Sequence, residues 1–400
     1  MKRRNFIKGA ACSLSLLPGA VLNKTPIENL TTAEKLSNPI RSELPRKRLR
    51  ELGIRIGTLE PGPNNAITDI AGVKVGHKTI IKGEGSMAAR TGVTVIFPHE
   101  GNICEENVFA ACFDLNGWGE MTGAAAIEDS GKLKTPVFLT GTYNVGIVHK
   151  AAVRYLFRID PLTAKNGRPA TPVVAECFDD FLSHTASRQI AEEDVFHAIQ
   201  DAKSGPVAEG AVGGGTGMTS FGFKGGIGTS SRKVDDSYSV GVLVMANTAA
   251  REDLRVDGVP VGREIVGYEY VSGKTKSIIL VAATDAPLLP FQLKKLAKRV
   301  AMGLAQTGAI SRTGSGDIIL AFSTANRIKR KGPEPFNEIK DVNDYWITPF
   351  YQATVEATQE AILNALTSAR TMEGRDGNKA YGIPLDQVLR IMKKYSRAGI

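Results

Sequence analysis

Ser277-Ile278-Ile279-Leu280-Val281-Ala282-Ala283-Thr284-Asp285-Ala286-Pro287-Leu288-Leu289-Pro290 reads as a buried strand that ends in a turn and opens a helix. The uncharged, β-branched run at its start is strand-like, and the flexible-looking Ser272-Gly273-Lys274-Thr275-Lys276 precedes it. After Pro290, Leu293, Leu296, Ala297, Val300, Ala301 and Leu304 recur at helical spacing, which predicts a helix with one apolar face. Its other face carries Lys294, Lys295, Lys298 and Arg299 and is expected to be a solvated surface. Working outward, residues 92–97, 137–140, 239–246 and 317–322 are strand-like. A second amphipathic helix sets Val355, Ile362 and Leu366 on one side, with Ala361 and Ala365 allowing close packing. Apolar helix stripes need a sheet or another helix to cover them, so the chain is expected to be a layered α and β sandwich.

The 400 residues are 42% hydrophobic with 42 glycines, a globular balance with a sizeable core. The formal net charge of +9 is concentrated: Lys2, Arg3, Arg4 and Lys8 lie at the N-terminus and Arg46, Lys47, Arg48 and Arg50 in a linker-like stretch. Elsewhere the charges mix, with neither a basic stripe nor an aromatic platform, which argues against nucleic acid as a partner. Residues 1–22 have the basic start and short apolar run of an export signal, and Arg3-Arg4-Asn5-Phe6-Ile7-Lys8 resembles a twin-arginine address, so a periplasmic location is expected. Residues 23–49 read as a linker and 50–400 as one catalytic domain. No stretch is long and apolar enough for a stable membrane span. Cys12, Cys104, Cys112 and Cys177 form no Cys-x-x-Cys pair, so no disulfide framework is expected.

Gly213-Gly214-Gly215-Thr216-Gly217 lacks the Gly-Lys-Ser/Thr ending of a phosphate loop and the spacing of a dinucleotide site; it reads as a tightly turning loop against a site or a subunit. The five histidines are dispersed and propose no metal site. With no Gly-x-Ser-x-Gly elbow to organise a triad, a hydrolase here would need another way to activate its nucleophile. One way is to expose a Ser, Thr or Cys as the first residue of a chain, so that its own α-amine (unperturbed pKa ~7.7–8.0) is the general base. Ser277 is placed for this, although a serine at a strand start is also a common turn residue.

The segment from Ser277 to Pro290 resembles the nucleophile segment of the DmpA-type family of L-aminopeptidase/D-Ala-esterase/amidases, which includes the β-peptidyl aminopeptidases. Asn65-Ala66-Ile67-Thr68-Asp69-Ile70-Ala71-Gly72-Val73-Lys74-Val75-Gly76-His77 agrees in order, as do Arg90-Thr91-Gly92-Val93-Thr94, residues 107–122 and the Gly-rich loop. Asp257-Gly258-Val259-Pro260-Val261-Gly262 and Thr313-Gly314-Ser315-Gly316-Asp317 complete the match, which runs from Arg46 onward.

The resemblance implies an α+β fold, a four-layer αββα sandwich. It also implies a precursor cut into an α chain ending at Lys276 and a β chain, residues 277–400, starting with the nucleophile Ser277. The family commonly cuts after a small residue, and Lys276 is a departure. Asn247 would stabilise the oxyanion with Tyr143 as a second donor; Ser315 and Asp317 would hold Ser277 and its ammonium in register; Glu128 or Asp129 would bind the substrate's ammonium group. On residue pattern alone, Asn247 and Tyr143 read as turn or core hydrogen-bonders and Ser315 and Asp317 as a strand-entry turn. The function implied is release of an N-terminal residue from short peptides, amides or esters, with no metal or organic cofactor, by a homo-oligomer of processed units. An acyltransferase of the ornithine-acetyltransferase type and a non-enzymatic envelope binding protein are the alternatives.

Overall fold

The computed structural model describes residues 44–162, 171–184, 189–269, 276–330 and 335–397; the export signal and most of the expected linker lie outside them. In chain order the strands are β1 (Lys74–Lys82), β2 (Ala89–Phe97), β3 (Glu106–Gly117), β4 (Lys132–Leu133), β5 (Val137–Gly141) and β6 (Val173–Cys177). A two-residue pair, β7 (Thr219–Ser220) and β8 (Phe223–Lys224), is followed by β9 (Gly226–Lys233), β10 (Ser239–Asn247), β11 (Ser277–Thr284) and β12 (Gly316–Lys329). The helices that cover them are α1 (Ala124–Ser130), α2 (Val145–Ile159), α3 (Glu192–Asp201), α4 (Val261–Glu264), α5 (Pro290–Gln306) and α6 (Thr348–Ser368).

Two sheets stack face to face. One has the order β1-β2-β5-β6, the other β4-β3-β12-β11-β10-β9. The strand-like runs of the sequence fall inside β2, β5, β10, β11 and β12. Side-chain alternation explains why β11 is apolar throughout: Ile279, Val281 and Ala283 join the core between the sheets, while Ile278, Leu280 and Ala282 join the core under the helices. A strand buried on both faces needs a continuous apolar run. Each fully buried large aliphatic side chain contributes roughly 1.5–3 kcal/mol, so β11 is anchored from both sides. A third core packs Val93, Val95, Phe138 and Val174 against Val148, Ala151 and Ala152 of α2 and Val195 and Ala198 of α3. The layers are thus α2/α3, four strands, six strands and α5/α6, the expected αββα sandwich.

Helix α5 starts where the sequence indicates, with Pro290 in its first turn and the Gln292 side chain accepting a hydrogen bond from Leu289 N at 3.0 Å. Its basic face is not merely solvated: Lys294 pairs with Glu128 at 2.6 Å, Lys295 with Asp344 at 3.1 Å, and the Arg299 guanidinium lies 3.9 Å from the Tyr351 ring centre. Helix α6 departs further from expectation. Rather than being amphipathic it is buried nearly all round, polar residues included, whereas Val355 is only partly buried. Glu356 and Glu360 pair with the fully buried Arg232 at 3.2 and 2.6 Å, and Glu360 also pairs with Arg50 at 3.0 Å. Asn364 accepts from Leu49 N and donates to Thr229 O, both at 2.9 Å. The polar residues suit burial because they satisfy one another and the chain's entry segment.

That entry segment begins the folded body earlier than position 50. Arg46 donates to Thr367 O and Ile383 O, Arg48 donates to Asn65 O and Thr229 O and pairs with Glu209 at 2.6 Å, and Leu49 is fully buried. The basic run is therefore a strap onto the body, not linker. The Gly-rich loop is a tight turn buried against the four-stranded sheet. Gly213 N and Gly214 N donate to the hydroxyls of Thr79 and Thr94, and a Cβ at Gly214 would lie 2.6 Å from Leu139 O. With its amides spent inside the protein, the loop offers no anion cradle. Among the described residues no helix is long and apolar enough to cross a membrane, and Cys104, Cys112 and Cys177 are free and buried.

Candidate active site

Three neighbouring strand ends bring distant residues together. Strand β10 runs antiparallel to β11, so its last residue, Asn247, pairs with the first residue of β11, Ser277. Strand β12 runs parallel to β11, so its first residue, Gly316, lies on the other side of Ser277. Asn247, Ser277, Ser315 and Asp317 thereby converge although up to seventy residues separate them. A Cβ at Gly316 would sit 2.6 Å from Trp118 O, so glycine there lets the loop after β3 close over the site.

Ser277 is nearly buried, and its Oγ accepts a hydrogen bond from Gly316 N at 3.1 Å. Asn247 is held from both ends: Thr219 N donates to its Oδ1 at 2.9 Å and its Nδ2 donates to Phe178 O at 3.0 Å. Those partners fix which end of the amide is nitrogen. An amide nitrogen has two hydrogens, so one remains for an oxyanion. Thr219 ends a loop clamped by the buried ammonium of Lys224, which donates to the carbonyls of Met218, Gly225 and Gly215 at 2.7, 2.9 and 3.3 Å. Burial pulls that lysine's pKa down to about 7.

Ser315 Oγ donates to Asp317 Oδ1 at 2.6 Å. Asp317 is fully buried, and burial raises its pKa against the opposing Ser315 bond. The nearby Ser311 side chain also opposes the rise through a hydrogen-bond contribution, yet Oδ2 has no partner with full hydrogen-bond geometry among the described residues. A buried carboxylate oxygen with nothing to accept from is costly unless a donor arrives.

Ser277 opens onto a cavity of about 530 Å³ lined by Trp118, Thr142, Tyr143, Glu176, Phe178 and the glycines at 117, 119 and 314. These walls come from the ends of β3, β5 and β6, so both sheets contribute. Tyr143 is exposed and stacks edge-on against Phe178 with ring centres 5.6 Å apart. Its hydroxyl has no protein partner among the described residues, which leaves Tyr143 as a wall of the cavity with a donor to spare.

Glu176 is the residue the sequence reading missed. It is 5% exposed, its Oε1 accepts from Glu120 N at 3.0 Å and its Oε2 from the Thr142 hydroxyl. Burial raises its pKa, those two hydrogen bonds oppose the shift, and no Lys or Arg pairs with it among the described residues. A carboxylate inside the apolar strand Val173-Val174-Ala175-Glu176-Cys177 was the available signal. Glu128 and Asp129, the residues expected to bind an ammonium, do not line the cavity. Glu128 accepts from Cys112 N at 2.7 Å and pairs with Lys294, on the flank of the six-stranded sheet, and Asp129 is exposed beside it. Both lie on the short α1, packed against β3, so they face α5 and solvent instead.

Lys276, the residue before Ser277, turns its ammonium inward. Its Nζ donates to Thr219 Oγ1 at 2.8 Å, and burial pulls its pKa down to about 8, with Asp180 opposing the shift.

Comparison with known proteins gives a consistent picture. The sequence profile of peptidase family S58 matches residues 65–380. The beta-peptidyl aminopeptidase BapA of Sphingosinicella xenopeptidilytica is 43% identical over 387 residues, covering 91% of this chain and 95% of that protein. Among solved structures, a beta-aminopeptidase from a Burkholderia species is 40% identical with a TM-score of 0.82, covering 88% of this chain and 99% of its own. The L-aminopeptidase D-Ala-esterase/amidase of Ochrobactrum anthropi, described as a variant of the Ntn hydrolase fold, is 39% identical with the same TM-score and the same coverage of both chains.

Proposed function

This chain belongs to peptidase family S58 and is a hydrolase of the aminopeptidase type, and from that premise we propose that it cuts itself before Ser277 and then uses the exposed serine to remove N-terminal β-amino residues from short peptides and amides. The observation that carries the reading is the pairing in one cavity of a strand-end serine with a buried carboxylate, Glu176, that has no cationic partner among the described residues.

In the first step Ser277 Oγ attacks the Lys276 carbonyl carbon and its proton passes to the departing amide nitrogen. An ester forms and the Ser277 α-amine is freed; water hydrolyses the ester and leaves Lys276 as a carboxylate. In turnover the neutral amine takes the Oγ proton. Oγ then attacks the substrate carbonyl, the spare Asn247 Nδ2 hydrogen stabilises the oxyanion with Tyr143 as second donor, and the amine returns its proton to the leaving nitrogen. Water releases the acyl group. The freed amine, when charged, is a suitable donor for Asp317 Oδ2, and Ser315 keeps that carboxylate aimed. Glu176 supplies the fixed anion that an aminopeptidase requires for the substrate's ammonium, a role we give it in place of Glu128 and Asp129.

The preference for β-amino residues follows the β-aminopeptidases among the relatives; the O. anthropi enzyme makes L-α-amino amides the second class to assay. The peptidase relatives favour neither an acyltransferase nor a binding protein. The proposal extends to export through residues 1–22 and to an oligomer of processed units, read out by N-terminal sequencing of periplasmic protein and by light scattering. Intact mass and N-terminal sequencing of wild type and Ser277→Ala test its centre. Two fragments, the smaller beginning Ser277-Ile278-Ile279, with an uncut Ser277→Ala chain are expected. A wild-type chain that stays whole overturns self-cleavage.

A further inference from the structure

We infer that Lys276 is a positioning residue for its own cleavage, an inference that rests on the self-cleavage reading and deepens it. An ammonium on a four-carbon stem ordinarily reaches for water. This one instead donates to Thr219 Oγ1 at 2.8 Å and lies 3.4 Å from Thr219 O. An ammonium can only donate, so it occupies a lone pair of the Thr219 hydroxyl and leaves that hydroxyl's single proton for an acceptor. The acceptor in reach is Asn247 Oδ1 at 3.4 Å, which already accepts from Thr219 N at 2.9 Å.

A directed chain therefore runs from Lys276 Nζ through Thr219 Oγ1 to the Asn247 carbonyl. Donation into the carbonyl end of an amide polarises it and makes its N–H groups better donors. The spare Asn247 hydrogen is the one that would meet the oxyanion formed at Lys276's own carbonyl, one residue along the same backbone. The side chain of the residue being cut thus orients and strengthens the group that stabilises its cutting. Asp180, whose carboxylate acts on Lys276 electrostatically, favours the charged, donating form.

The test follows conversion of pulse-labelled full-length chain into two fragments. Lys276→Met and Thr219→Val should each slow the first-order rate by about ten- to a hundredfold, the range for loss of a hydrogen bond to a charged group. The double variant should be no slower than the slower single, because both interrupt one chain. Lys276→Arg, which still donates, should recover part of the rate. In a Ser277→Ala background, Lys276→Met should leave the melting temperature unchanged, which separates positioning from folding. Cleavage of Lys276→Met at the wild-type rate, or a double variant slowed by the product of the two factors, overturns the inference while leaving self-cleavage standing. A wild-type chain never cut at Lys276–Ser277 overturns both.

Discussion

Replacing Glu176 with Gln isolates a single charge. The Glu120 N–H can still donate to the amide oxygen, and the Thr142 hydroxyl can turn to accept from the new NH2, so the cavity keeps its shape. What disappears is the anion that would face a substrate ammonium, on a side chain that is 5% exposed. Removing one partner of a buried, hydrogen-bonded charge pair costs ~2–5 kcal/mol, which corresponds to a fall in kcat/KM of about 30-fold to several thousandfold. The assay compares a β-amino amide with its des-amino analogue in both enzymes. Wild type should strongly prefer the amine; Glu176→Gln should scarcely distinguish the two. Stability should move the other way. Burial raises the Glu176 pKa, so between the ordinary glutamate range and that raised value the folded chain holds a proton that the unfolded chain has released. Stability of the ligand-free protein therefore declines as pH rises through that window, and Glu176→Gln should flatten the slope. If the variant retains kcat/KM within about twofold, or loses equally on the des-amino analogue, the ammonium role for Glu176 is wrong.

Asn247→Ala should lower kcat by roughly 10²–10³-fold, the usual effect of losing one oxyanion donor, with KM little changed in steady-state kinetics. Asp317→Asn keeps the Ser315 contact but removes the anion beside the freed amine; the amine's pKa should drop, so the acid limb of the kcat/KM profile should shift to lower pH. Glu360→Gln leaves Arg232 and Arg50 short of a counter-charge in the core and should destabilise the fold by about 3–5 kcal/mol, measured by denaturant titration of the Ser277→Ala chain.

The parts of this molecule that were legible in sequence are those where one period decides the answer. Strands β10 and β11 and the first half of β12 are buried on both faces and so read as largely apolar runs, and α5 shows its stripe because one side alone meets the sheet. Helix α6 defeats that reading because Glu356, Glu360 and Asn364 are buried with partners from residues 49–50 and 229–232, and pairing is invisible to periodicity. The same limit applies to the site. Ser277, Asn247, Ser315 and Asp317 were found through family resemblance and lie on adjacent ends of one sheet. Glu176 and Phe178 enter from the end of β6 in the facing sheet and Trp118 from the loop after β3, and nothing in a strand's own pattern says which other strand end it will oppose. Glu128 and Asp129 are the anions the sequence offers for a substrate ammonium, but a helix of seven residues packed on β3 turns them away.

How the fold treats its other buried acids strengthens the reading of these two. Glu209 is matched by Arg48, Glu356 and Glu360 by Arg232, and Asp160 by Arg330, so a carboxylate in this interior is ordinarily given an arginine. Three break the pattern among the described residues: Asp179, Glu176 and Asp317. Asp179 is walled in, since a Cβ at Gly141 would lie 2.4 Å from its Oδ2, and burial raises its pKa to about 6, so isolation shows there as an easier protonation. Glu176 lines the open cavity, and Asp317 belongs to the strand that borders Ser277. On the proposed mechanism, both are unmatched where a cation would arrive: the substrate's amine at the first, and at the second the α-amine that cleavage of the Lys276–Ser277 bond would create. An uncut chain bears the cost of leaving both carboxylates without a cation, and if the proposed cleavage supplies one, the cut chain would have a thermodynamic reason to stay together.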